Sequence, residues 1–128
     1  MTRQEVFDLA YRQYAVVPEY LWDNENAVLR RRDNRKWFAA VLRVPGEKLG
    51  IMDKEMVDIL NVKSDPVLIG SLHSRAGYFG AYHMNKENWI SILLGKEELD
   101  ESIRNLLPLS YDLTAPKKRG SGLSSEGL

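Results

Sequence analysis

The sequence predicts an α+β domain of two layers, an antiparallel sheet with helices packed on one face. Three observations predict it. Apolar residues recur with a helical period near both ends of the chain, at Val6, Leu9 and Ala10 and again at Leu99, Ile103, Leu106 and Leu107. Between them lie runs rich in β-branched and aromatic residues that read as strands. Short turns join the first three of these runs, which favours antiparallel pairing over helical crossovers.

Thr2-Arg3-Gln4-Glu5 has the spacing of a capping box, and the apolar stripe behind it predicts a helix over 3–15. The connection from Val17 to Glu25 holds Tyr20 and Trp22, which are expected to cover the edge of the core. Strands over 27–32 and 36–44 are joined at Asp33-Asn34-Arg35, residues suited to a tight turn. In the second strand, alternation puts Phe38, Ala40, Leu42 and Val44 on one face and Trp37, Ala39, Val41 and Arg43 on the other. Trp37 and Val41 are therefore expected on a sheet surface opposite the helices. A third strand is read over Met56 to Lys63. Asp65-Pro66 then supplies a helix cap and a first-turn proline for a helix through Leu72, with Gly77 as its stop. Trp89 to Leu94 reads as a strand, and the last helical stripe is expected to break at Pro108, with a short helical piece over 109–114. From Pro116 the apolar period ends. The chain is thus one domain over 1–115 with a disordered tail over 116–128.

Composition narrows the function. The 128 residues are 44% apolar and 28% charged, with 18 basic and 18 acidic groups in balance. No apolar run approaches the length of a membrane span, and the N-terminus lacks a secretory h-region. Zero cysteines remove thiol chemistry and fit a cytoplasmic protein. The balanced charge is unevenly spread. Residues 30–48 carry seven basic groups (Arg30, Arg31, Arg32, Arg35, Lys36, Arg43, Lys48) against Asp33 and Glu47. A phosphate-contacting surface, if there is one, is expected there.

No nucleophile elbow, phosphate-binding glycine loop or zinc helix is present, so no catalytic residue, metal or cofactor is assigned and the chain is not read as an enzyme. The two histidines, His73 and His83, stand on different elements without an acidic cluster beside them. One segment differs in kind. Tyr82, His83, Met84, Asn85 and Lys86, followed by Trp89, gather an imidazole, an amide, an ammonium and aromatic rings just before a strand. Asn85 could cap a single turn that feeds Trp89 into the sheet. As a recognition corner this segment would bind an anion and stack a ring; as a structural corner it would satisfy turn backbone.

These same residues resemble the signature of the MmcQ/YjbR family. Lys36-Trp37-Phe38-Ala39, Asn61-Val62-Lys63-Ser64-Asp65-Pro66 and Ser110-Tyr111-Asp112-Leu113 are similar to three further family blocks in the same order. Glu87 and Asn88 stand where members often carry a basic residue and a histidine. The resemblance covers about residues 3 to 115. It implies a YjbR-like fold related to secretion chaperones and a proposed role in DNA binding.

Two functions are expected from these readings. The first is weak, salt-dependent binding of double-stranded DNA through phosphate contacts from Arg30, Arg32, Arg35, Lys36, Arg43, Lys63 and Lys86. The second is a protein- or peptide-binding or self-associating module that uses exposed sheet surface.

Overall fold

Thr2 accepts a hydrogen bond from the Glu5 backbone at 3.2 Å and donates its own N–H to the Glu5 carboxylate at 2.8 Å. This capping box opens helix α1 (Arg3–Tyr14), which ends where Ala15 enters the left-handed region at φ 56°. In this computed structural model, residues 1–51 and 54–117 are described. The tail expected from 116 onward lies, from residue 118, outside the described residues.

Five strands follow: β1 (Ala27–Arg30), β2 (Trp37–Pro45), β3 (Met56–Lys63), β4 (Tyr78–Gly80) and β5 (Trp89–Leu93). They form one antiparallel sheet in the order β1-β2-β3-β5-β4. Helices α2 (Pro66–Leu72) and α3 (Asp100–Leu113) join α1 on one face. The Asp65 carboxylate accepts from the Leu68 N–H at 2.9 Å and Pro66 takes the first turn, as the sequence predicts. Val6, Ala10, Ile103 and Leu107 from the helices meet Leu29, Val41, Leu60, Val62 and Ile92 from the sheet in the main core. Burying such side chains contributes about 1.5–3 kcal/mol each relative to exposure.

Several expectations are corrected. The first strand stops at Arg30, because Arg31 turns inward and is 6% exposed. The alternation of β2 changes phase at a bulge: Leu29 pairs with Ala39 but Arg30 pairs with Trp37, leaving Phe38 as the extra residue. Phe38 therefore joins Ala39 and Val41 in the helix-side core, and Val41 is fully buried there rather than facing outward. The outer face carries Val28, Ala40, Leu42, Val44 and Ile59, with Trp37 against them. The Ser110 hydroxyl from α3 donates to the Phe38 carbonyl and accepts from the Lys63 N–H at 2.8 Å, binding the bulge to the helix.

Helix α3 runs through Pro108 without a break. Proline frees the carbonyl four residues back, and that residue, Arg104, is exposed, so water can serve the carbonyl. Helix α2 ends at Leu72, with His73 as its cap, so Gly77 is not its stop. Gly77 instead turns the chain into β4 at φ 89°, where a Cβ would fall 2.4 Å from Leu99 Cδ1. Tyr20 and Trp22 are 45% and 59% exposed and do not seal the core.

Candidate binding site

The outer face of the sheet is not a flat surface. A cleft of about 480 Å³ opens on it, floored by Ala40, Leu42 and Val44. Trp22 and Trp37 form one wall, their rings edge to face at 5.7 Å. Tyr82, His83 and Met84 form the other, while Asn26 and Arg43 supply polar groups.

Two polar residues inside the strands fix the second wall. Asn61, fully buried on β3, donates its side-chain amide to the Tyr82 carbonyl at 3.0 Å and to the Met84 sulfur at 3.2 Å. The hydroxyl of Ser91 on β5 donates to Asn61 Oδ1 and accepts from the Tyr82 N–H at 3.0 Å. His83 is held at φ 59°, a conformation costly for a residue with a Cβ. Asn85 closes the corner as the sequence predicts. Its side chain accepts from the Glu87 N–H at 2.8 Å, and its carbonyl accepts from the Trp89 N–H at 3.0 Å. Trp89 itself is half-buried and sits opposite Lys63 in the β3–β5 register. Lys86 donates its ammonium to the Ala81 carbonyl at 3.0 Å.

The remaining cations named from the sequence are dispersed, and Arg30, Arg35 and Arg43 are paired. Glu19 takes Arg30 at 3.2 Å and Arg35 at 3.0 Å. Arg43, six residues along β2 and roughly 20 Å from its Trp37 end, lies 3.6 Å from both Glu25 and Asp58. Arg3 binds the same Asp58 carboxylate at 3.0 Å. Arg32 and Lys36 are exposed in the turn with no ion pair among the described residues. Lys63 is half-buried at the end of β3. Arg30, Arg35, Lys36 and Lys63 thus belong to one end of the sheet, Arg43 to the other and Lys86 to the β4–β5 corner.

Arg31 is a structural bolt. It pairs with Asp33 at 2.8 Å, donates to the Tyr111 carbonyl, and stacks its guanidinium 3.8 Å from the Tyr111 ring centre. Its two hydrogen bonds hold the Asp33 carboxyl below the usual carboxylate range. Tyr111 stacks on Tyr14 at 3.7 Å, and both rings meet Phe38 edge-on.

Against this geometry stand the relatives. The YjbR family model matches residues 12–113. The chain belongs to the YjbR family. It is 35% identical over 116 residues to the uncharacterized protein YyaQ of Bacillus subtilis strain 168, covering 89% of this chain and 98% of YyaQ. A crystal structure of a Pseudomonas syringae protein matches with a TM-score of 0.85 at 39% identity, over 90% of this chain and 100% of that one. A solution structure from the same organism gives 0.81 at 38% identity, over 93% and 97%. Deinococcus radiodurans protein DR2400 shares the YjbR fold at a TM-score of 0.69 and 19% identity, over 91% and 80%.

Trp22, Asn61 and Ser91 escaped the sequence reading of the site. The signal for the latter two was a small polar residue flanked by apolar ones inside a strand. For Trp22 it was an aromatic in a segment without apolar period.

Proposed function

We propose that this YjbR-family chain is a non-enzymatic binding module that seats apolar side chains of a partner protein in the cleft on its outer sheet face. The observation that carries the reading is Trp22, 59% exposed in a connection where Val17, Tyr20 and Leu21 are also exposed, at the mouth of an apolar cleft. Large exposed apolar patches mark interaction sites, and aromatic residues at an apolar centre with a polar rim are the usual anchors of protein interfaces. A volume of about 480 Å³ is in the range that holds a ligand group or a pair of large side chains.

The DNA reading finds less support. Glu19 stands between Arg30 and Arg35, so its carboxylate occupies the position a phosphate would take. Arg31 is 6% exposed and committed to Tyr111. Arg32 and Lys36 remain accessible, which is thin for a surface that works by neutralising several phosphates together.

The test is selection of peptides from a displayed library on the folded chain, followed by affinity measurement with Trp22→Ala. Selected peptides rich in apolar residues should lose about 2 kcal/mol of binding on that substitution, while the melting temperature changes little. Recovery of no binder, or binders indifferent to Trp22, would remove the cleft from the account.

A further inference from the structure

We infer that a second cleft, behind the Tyr82–His83 wall, is a site for a small soluble phosphomonoester. This goes beyond the partner-protein reading and does not depend on it. The cleft measures about 630 Å³ and runs beside strand β4. The short 3-10 turn Gly46–Leu49 brings Lys48 to it, the end of α2 brings His73, and the β4–β5 corner brings Tyr82, His83 and Lys86.

The chain has only two histidines, and both line this cleft. Two lysines join them, and no carboxylate is among its described lining residues. Glu47 and Glu87 neighbour the two lysines in sequence but do not line the cleft. Two of these donors, His73 and Lys86, converge. A Cβ placed on Gly80 would lie 3.6 Å from His73 Nε2 and 3.5 Å from Lys86 Cδ, so both side chains close over one glycine. The Lys86 ammonium spends one donor on the Ala81 carbonyl at 3.0 Å and keeps two more.

This donor set selects the ligand class. Ammonium and imidazole N–H groups give charge-assisted hydrogen bonds to an anion, and with no carboxylate among the described lining residues the local field favours one. A phosphomonoester offers several acceptor oxygens to this set, whereas a simple carboxylate offers two. Tyr82, with its ring 4.0 Å from that of His83, provides an apolar surface for the organic part of the ligand.

The experiment titrates O-phosphoserine into isotope-labelled full-length protein at neutral pH and follows backbone amides, with serine and acetate as controls. The expected result is saturable shifts at Gly80, Ala81, His83 and Lys86, absent with serine and much weaker with acetate. Lys48→Gln and His73→Gln should each weaken binding by about fivefold. The backbone amides of Trp22 and Trp37, which line only the partner cleft, should stay unmoved, separating the two sites. Absence of saturation, an equal response to acetate, or unchanged affinity in both variants would overturn the assignment and leave the partner-cleft reading standing.

Discussion

The side-chain amide of Asn61 reaches the Tyr82 carbonyl at 3.0 Å, so a buried residue of the sheet holds the corner that walls the cleft. The bond joins strand β3 to a segment 21 residues further on. Ser91 completes the network, and it is fully buried like Asn61. Replacing Asn61 by Leu leaves the Tyr82 carbonyl and the Ser91 hydroxyl short of a partner, at an expected cost of about 1–3 kcal/mol. Urea unfolding measures it. Amide exchange at 82–84 should quicken more than at α1; uniform change across the chain would show that the network does not hold the corner.

Arg31 and Asp33 predict an acid-sensitive component of stability. The folded-state pKa of Asp33 is lowered, first by the Arg31 hydrogen bonds. Its stabilising contribution is therefore present above the unfolded value, about 3.9, and is lost as pH falls through the lower folded value. Asp23 and Glu5 are lowered in the same direction by hydrogen bonds to their own turn and cap. Asp33→Asn should flatten part of the decline in melting temperature below about pH 4 and leave the neutral-to-alkaline limb unchanged. An unaltered acid limb would mean that the Arg31 pair contributes no pH dependence.

Glu19 predicts a gain of function toward nucleic acid. Removing its charge by Glu19→Gln frees Arg30 and Arg35 from their shared partner. Ion pairs near the surface contribute about 0–1 kcal/mol, and Glu19 and Arg30 are only half-buried, so the fold should survive. Binding of a short duplex at low salt should strengthen, and the log–log salt slope should steepen by about one to two. Identical affinity and slope in the two proteins would show that Glu19 does not screen the hairpin.

Two glycines separate backbone strain from crowding. Gly50 and Gly77 both have positive φ, 78° and 89°, but only Gly77 has a neighbour where a Cβ would stand. Gly50→Ala should cost about 1 kcal/mol through backbone strain. Gly77→Ala adds the clash with Leu99 and should cost about 2–4 kcal/mol. Equal losses in denaturant unfolding would assign the effect to φ alone.

Much of the fold was legible because local chemistry and tertiary demand agree. The Thr2 box, the Asp65-Pro66 start and strand β3 follow from residues that act within a turn or a pleat. The errors arose where a distant partner intervened. The bulge at Phe38 depends on Ser110, which is 72 positions away. The inward turn of Arg31 depends on Tyr111. The basic hairpin looked free in sequence because Glu19 pairs with it from outside the segment. The turn capped by Asn85 was legible, but its anchors were not, since Asn61 and Ser91 were read simply as strand positions. Period alone cannot tell a buried amide with partners from a weakened strand.

The most direct measurement maps backbone-amide shifts of the labelled protein on addition of a library-selected peptide and, separately, of duplex DNA at moderate salt. The account predicts peptide shifts at Trp22, Asn26, Trp37, Leu42 and 82–84, with residues 30–36 unmoved by DNA. DNA shifts concentrated at Arg30, Arg32, Arg35 and Lys36, with the cleft silent toward every peptide, would contradict it.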